Sequence, residues 1–174
     1  KRQPLSLPLL RQLRQSTNAT IYNMYGPTEA TVWCTMADLT AEDRVHIGRP
    51  LGNTPLYIVD SRHRLLPEGT AGELCIGGAG LAEGYWNRPD LTRERFVDNP
   101  FVPGAVMYKT GDWARWLEGG IVECLGRIDQ QVKFRGYRIE LQEIESQLLQ
   151  HEDIREAAVR VCAPDGNPIL FAYY

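Results

Sequence analysis

From Ile47 to Val122 the chain is a succession of short apolar runs cut by turn residues, and this rhythm constrains the fold more than any other feature. The runs are Leu56–Val59, Glu73–Ile76, Met107–Tyr108 and Ile121–Cys124, with Pro67-Glu68-Gly69 and Glu118-Gly119-Gly120 between them. Short strands at such spacing make a small β-rich subdomain. One short helix interrupts them, opened by Arg88-Pro89-Asp90 and running to about Arg95. Pro89 sits near its first turn, where a missing N–H costs nothing.

The flanks read differently. Leu9, Leu10 and Leu13 recur at helical spacing within residues 7–15, with Arg11, Arg14 and Gln15 on the other side, which predicts an amphipathic surface helix. Ala19-Thr20-Ile21-Tyr22-Asn23 predicts a buried strand that ends in a loop at Gly26-Pro27. After Gly126 come a strand at Gln131–Phe134, a helix with Leu141, Ile144 and Leu148 on one face, and strands around Val159–Val161 and Ile169–Tyr174. That β-β-α-β-β order is the start of a separate small α+β domain, with its boundary near Ile128 to Gln130.

Composition excludes several classes. Of 174 residues, 43% are hydrophobic and 24% charged, which argues against disorder, and no apolar run approaches the ~20 residues of a bilayer helix. The 22 acidic and 19 basic residues are interspersed and leave a net charge of -3, so no positive stripe suits a nucleic acid. Cys34, Cys75, Cys124 and Cys162 form no C-x-x-C pair and follow no secretory signal, and they are expected to be buried small hydrophobes in a reducing cytoplasm. Lys1-Arg2-Gln3-Pro4 lacks an initiator Met and Phe171-Ala172-Tyr173-Tyr174 reads as a strand interior, so both ends have the look of cuts.

Four constellations carry chemistry. In Asn23-Met24-Tyr25-Gly26-Pro27-Thr28-Glu29 a Gly-Pro turn offers an aromatic ring, a hydroxyl and a carboxylate from one loop. That set suits a nucleotide base, a phosphate and a hard cation, while a β-turn with incidental polar residues is the alternative. The glycines of Gly72-Glu73-Leu74-Cys75-Ile76-Gly77-Gly78-Ala79-Gly80-Leu81-Ala82-Glu83-Gly84-Tyr85 invite a phosphate cradle, but no Lys-Ser/Thr follows, and structural turns are the better reading. Tyr108-Lys109-Thr110-Gly111-Asp112-Trp113 reads as a strand ending in a Gly turn whose carboxylate could accept both hydroxyls of a ribose, or as a plain Asx turn. The fourth runs from Gly126-Arg127-Ile128-Asp129 through Gln131-Val132-Lys133 and Arg135-Gly136-Tyr137 to Glu145, and ends in an acidic first helical turn that complements a helix dipole.

In this order, the four motifs resemble the later core motifs of adenylation domains of non-ribosomal peptide synthetases, in the adenylate-forming superfamily that includes acyl-CoA ligases and luciferase. The resemblance covers the chain from Asn18 onward. It implies an α/β plus β fold: residues 1–46 as the end of an α/β subdomain carrying the nucleotide loop, and 47–128 as a β-rich, β-barrel-like subdomain of the large domain. Residues 129–174 would then be the truncated start of the small α+β C-terminal domain. It also implies ATP and Mg²⁺, with Tyr25 stacking on adenine beside Gly26, Thr28 near the α-phosphate and Glu29 holding the metal. Asp112 would bind the ribose, Arg127 would lie near ribose and phosphate, Asp129 would be the hinge, and Gly136 would line a phosphopantetheine tunnel. Met24, Val32 and Trp33 would line the substrate pocket, and a Trp there suggests a small or compact acid.

The implied activity is ATP-dependent: a carboxylic acid, of the amino-acid type, is activated to an acyl-adenylate and passed to the phosphopantetheine thiol of a peptidyl carrier protein. The phosphate loop and a catalytic lysine are expected in missing parts of the same domain, upstream of Lys1 and downstream of Tyr174, so the chain alone is expected to be inactive. Departures from the family pattern are Cys124 for a larger aromatic, Glu83 for a basic residue and Gln142 for glycine. An acyl- or aryl-CoA ligase and a non-catalytic fragment or binding module remain the alternatives.

Overall fold

The computed structural model describes residues 5–128, 132–134, 137–139, 141–162 and 168–174. They form two compact units, Leu5–Ile128 and a second within Asp129–Tyr174.

In the first unit, α1 (Leu7–Ser16) begins where the Ser6 hydroxyl accepts from Leu9 N at 3.3 Å, with Pro8 in the opening turn. Of the three leucines expected to share its apolar face, only Leu10 is buried, against Ala37 and Leu39. Leu9 and Leu13 stand four residues apart on an adjacent stripe and are exposed. A three-stranded antiparallel sheet follows, in the order β1 (Tyr22–Tyr25), β2 (Thr35–Asp38), β3 (Arg49–Pro50), with Tyr25 opposite Thr35. The strand expected at Ala19–Asn23 therefore starts three residues later. It is half-buried rather than buried, because β1 is an edge strand paired on one side only.

The larger sheet is antiparallel: β4 (Leu56–Val59), β5 (Gly72–Gly77), β6 (Phe96–Asp98), β7 (Val106–Leu117) and β8 (Ile121–Arg127). Its order is β4-β5-β7-β6, and β8 takes the rest of the β7 edge that β6 uses first. Strand β5 is buried on both faces. Leu74 and Ile76 join Ala30, Cys34, Leu56, Ile58 and Val122 in one core, while Cys75 meets Val59 and Met107 in another. The sheet curls, and the far edge of β8 reaches the smaller sheet's connection: Ile47 N donates to Val122 O at 2.9 Å and Val122 N to Gly48 O at 2.8 Å. Gly48, at φ +81°, is required here, since a Cβ would lie 1.9 Å from the Met36 carbonyl oxygen.

Strand β7 corrects the sequence expectation of a strand ending at Tyr108. It continues to Leu117, because Cys75 pairs with Lys109 and Glu73 with Trp113. Thr110, Gly111 and Asp112 thus stand opposite Leu74 alone, a bulge with Gly111 at φ +70°. Gly78 (φ +100°) lies against the Asn53 carbonyl and Gly84 (φ +146°) against Thr92, so these two glycines of the rich segment serve tight turns and close approach. Helix α2 spans Pro89–Arg95.

The second unit contains the hairpin β9 (Val132–Phe134) and β10 (Tyr137–Ile139), helix α3 (Leu141–Leu148), and the antiparallel pair β11 (Ala158–Cys162) and β12 (Ile169–Tyr173). Leu141 and Val159 are its buried apolar residues among those described, and Glu145 ties helix to strand by accepting from Val159 N at 2.8 Å. The cysteine expectation holds for Cys34 and Cys75 alone: Cys124 is half-buried, and Cys162, on a two-stranded edge, is exposed. Among the described residues no helix is long and apolar enough to cross a membrane.

Candidate functional site

The loop between β1 and β2 is drawn tight by its own backbone. Cys34 N donates to Tyr25 O at 2.7 Å, closing residues 25–34 into a ring. Gly26 lies so near the far side of that ring that a Cβ would be 2.3 Å from the Val32 carbonyl oxygen. Residues Thr28–Ala30 make a single 3-10 turn, after which Thr31 (φ 50°) and Val32 (φ 69°) both adopt the left-handed region. For two β-branched residues this costs about 1–2 kcal/mol each. The segment after β5 offsets part of that cost. Thr31 Oγ1 donates to Gly80 O at 2.6 Å, and Ala82 N donates to Glu29 O at 2.8 Å.

From this loop Tyr25 reaches the β7 bulge. Its Oη donates to Asp112 Oδ2 at 2.5 Å, while Arg127 Nη1 donates to Asp112 Oδ1 at 3.1 Å and to Thr110 O at 2.7 Å. Asp112 and Arg127 are opposite each other on β7 and β8. The carboxylate is further set by its backbone, since Asp112 N donates to Thr110 Oγ1 (2.9 Å), which in turn donates to Leu74 O (2.6 Å). Burial first, then the charge of Asp112, holds the Tyr25 phenol well above its ordinary value, so it remains a donor.

A second polar group lies on the same loop. Glu29 is buried and accepts from Tyr85 Oη at 2.7 Å. Thr28, beside it, is exposed. Met24 is half-buried on β1, and Val32 and Trp33 are exposed in the loop. Of the residues singled out from the sequence, Tyr25, Asp112 and Arg127 are thus brought into direct contact. Glu29 is held separately, and Asp129 and Gly136 lie outside the described residues. Sequence reading gave no role to Thr110 or Tyr85. Thr110 sat inside a motif whose turn was misread, and Tyr85 was hidden at the end of a glycine-rich run. No group of three potential metal ligands occurs among the described residues.

This arrangement can hold a polyhydroxylated, anionic ligand: a carboxylate for hydroxyls, an adjacent guanidinium for negative charge, and a ring at the same point. Residues 2–86 match the family model described as AMP-binding enzyme. Tyrocidine synthase 1 of Brevibacillus parabrevis is 62% identical over 158 residues, covering 87% of this chain and 14% of that protein. The solved structure of PA1221, an NRPS protein containing adenylation and PCP domains, superimposes with a TM-score of 0.84 at 33% identity, covering 98% of this chain and 36% of that one. Holo-AB3403, a four domain nonribosomal peptide synthetase bound to AMP and glycine, gives a TM-score of 0.69 at 43% identity, over 98% of this chain and 13% of that one. The chain therefore spans a small part of the length of each relative it matches.

Proposed function

We propose that the chain, whose residues 2–86 match the AMP-binding enzyme family model, supplies the nucleotide side of an ATP-dependent, adenylate-forming ligase of the peptide-synthetase kind. The observation that carries the reading is the convergence of Tyr25 and Arg127 on the Asp112 carboxylate. In this reading Asp112 takes the ribose hydroxyls, the Tyr25 ring lies against adenine beside Gly26, and Arg127 offsets phosphate charge. Thr28 donates near the α-phosphate. PA1221, which contains adenylation and PCP domains, and the four domain nonribosomal peptide synthetase holo-AB3403, bound to AMP and glycine, support it.

The substrate is a carboxylic acid of the amino-acid class. Its carboxylate oxygen attacks the α-phosphorus of ATP, the bond to the β-phosphate oxygen breaks, and pyrophosphate leaves. A phosphopantetheine thiol then attacks the acyl carbonyl, loses its proton and releases AMP. The PCP domains of relatives support a carrier-protein partner for this second step. Asp129 and Gly136 are proposed as hinge and pantetheine-tunnel residues, and Met24, Val32 and Trp33 as the side-chain pocket of a compact acid. Residues 1–46, 47–128 and 129–174 are proposed as the three structural portions.

Glu29 suits Mg²⁺, a hard cation that usually takes one or two carboxylates and fills its remaining positions with phosphate oxygens and water. Bound there, Mg²⁺ would offset negative charge on the phosphate oxygens. The chain's own residues position and orient. Removing one preorganised donor from such a site costs on the order of 100-fold in rate.

The test is amino-acid-dependent ATP–pyrophosphate exchange by the full-length protein over a panel of acids, followed by acyl transfer to holo carrier protein or to coenzyme A. Exchange with a compact acid and transfer to the carrier are expected. Absence of exchange with every acid would refute the reading, and transfer to coenzyme A alone would make the protein an acyl-CoA ligase. The 174-residue chain by itself is expected to form no adenylate.

A further inference from the structure

Building on the proposed role of Glu29 as the carboxylate that holds the metal, we propose that Tyr85 is its positioning residue: the phenol fixes the direction of the Glu29 carboxylate without neutralising it. The hydrogen bond from Tyr85 Oη to Glu29 Oε1 is 2.7 Å. It takes one of the roughly four lone-pair sites of a carboxylate and sets the plane of the remainder. A Lys or Arg in its place would orient the group equally well but would cancel the charge a cation needs. A phenol does not.

Tyr85 is itself fixed by the body of the unit rather than by a free loop. Its backbone N donates to Thr92 Oγ1 on α2 at 2.9 Å, and Gly84 allows this approach because a side chain there would strike Thr92. The Tyr85 ring meets Phe96 edge-on at 5.7 Å, and Phe96 leans on Tyr108 of β7 at 5.0 Å. Meanwhile Ala82 and Gly80 grip the backbone around Glu29 through the bonds to Glu29 O and Thr31 Oγ1. Residues 80–85 therefore hold the turn at the Glu29 carbonyl, at the Thr31 side chain and at the carboxylate. A packing tyrosine in search of an acceptor would need only the last.

The experiment uses the full-length protein with Tyr85→Phe, Thr92→Val and Glu29→Gln. A hydrogen bond to a charged group is worth at least about a tenfold change in an equilibrium. Tyr85→Phe is accordingly expected to raise the Mg²⁺ concentration for half-maximal exchange about tenfold, with KM for the acid within about twofold. Mn²⁺ affinity of the ATP-bound protein, read by electron paramagnetic resonance, should weaken by the same factor. Thr92→Val keeps the phenol but loosens its anchor, and should shift both readouts about threefold in the same direction. Wild-type metal response in the folded Tyr85 and Thr92 variants would overturn the positioning role. If Tyr85→Phe does not fold, Thr92→Val alone decides. Glu29→Gln tests the premise separately: it should lose the metal response. If it keeps that response, the metal reading has failed. If it loses the response while Tyr85→Phe behaves as wild type, only the role of Tyr85 has failed.

Discussion

Replacing Asp112 by Asn keeps the shape of the side chain and removes its charge, which makes it the sharpest probe of the proposed nucleotide site. The carboxylate accepts from Tyr25 at 2.5 Å and from Arg127 at 3.1 Å, and the ion pair is mostly shielded, with side-chain exposures of 24% for Arg127 and 15% for Asp112. Hydrogen bonds to charged groups contribute about 1.5–3 kcal/mol. Asparagine retains an acceptor oxygen, so a stability loss of about 1–3 kcal/mol is expected, below the cost of deleting one partner of a fully buried pair. Two ribose hydroxyls facing a neutral amide instead of a carboxylate should raise KM for ATP by about 10- to 150-fold, with KM for the acid nearly unchanged. The assay is pyrophosphate exchange by the full-length protein with ATP and with 2′,3′-dideoxy-ATP. The wild type should discriminate against the dideoxy nucleotide by a similar factor, and Asp112→Asn should discriminate by only a few-fold. If the variant discriminates as strongly as the wild type, the ribose hydroxyls do not meet Asp112 and the site has been misassigned.

Gly48→Ala should destabilise the first unit by at least about 2 kcal/mol, read from the denaturant midpoint, because positive φ and a backbone clash act together. An unchanged midpoint would mean that the Ile47–Val122 junction is not as drawn. Burial pushes Cys34 up to about 11 and Cys75 up to about 12, from an ordinary 9.0. Raised folded-state values mean stability present below about pH 9 and lost as pH rises through 11 and 12. Alkaline melts should show this fall, and it should shrink in Cys34→Ala. Under native conditions at pH 8 a thiol reagent should label Cys162 first and leave Cys34 and Cys75 until unfolding, while rapid labelling of Cys75 would contradict its burial against Val59 and Met107.

Much of the strand layout was legible because its signals are local. Pro89 in the first turn, the Glu118-Gly119-Gly120 hairpin and the apolar run of β4 all declare themselves within a few residues. Strand β7 was not, since a bulge and a strand end look alike in sequence: each shows a Gly flanked by polar residues able to bond the local backbone. What separates them is the register of β5, fixed by Leu74 and Ile76 in the core, and that partner lies more than thirty residues away. The edge character of β1 escaped for the same reason. The composition of Ala19–Asn23 says strand but not how many neighbours the strand will have.

The glycine-rich segment shows why a structural reading and a functional one need not compete. Gly78 and Gly84 serve turns and close approach. Yet those turns carry Gly80, Ala82 and Tyr85 onto the 28–31 turn, where two consecutive β-branched residues are held in the left-handed region. Such strain persists only where surroundings over-determine it. The loop's shape, and with it the directions of Tyr25 and Glu29, therefore depends on a segment some fifty residues downstream that supplies no group assigned to the nucleotide. Loosening the segment at Thr92 should be felt at Glu29 before it is felt at Asp112, whose carboxylate is set by Thr110 and Arg127 within the sheet. Metal response and ribose discrimination should accordingly separate: Thr92→Val moving the first and sparing the second, Asp112→Asn doing the reverse. A variant of the 80–85 segment that shifts both in proportion would show that the two halves of the site move as one body.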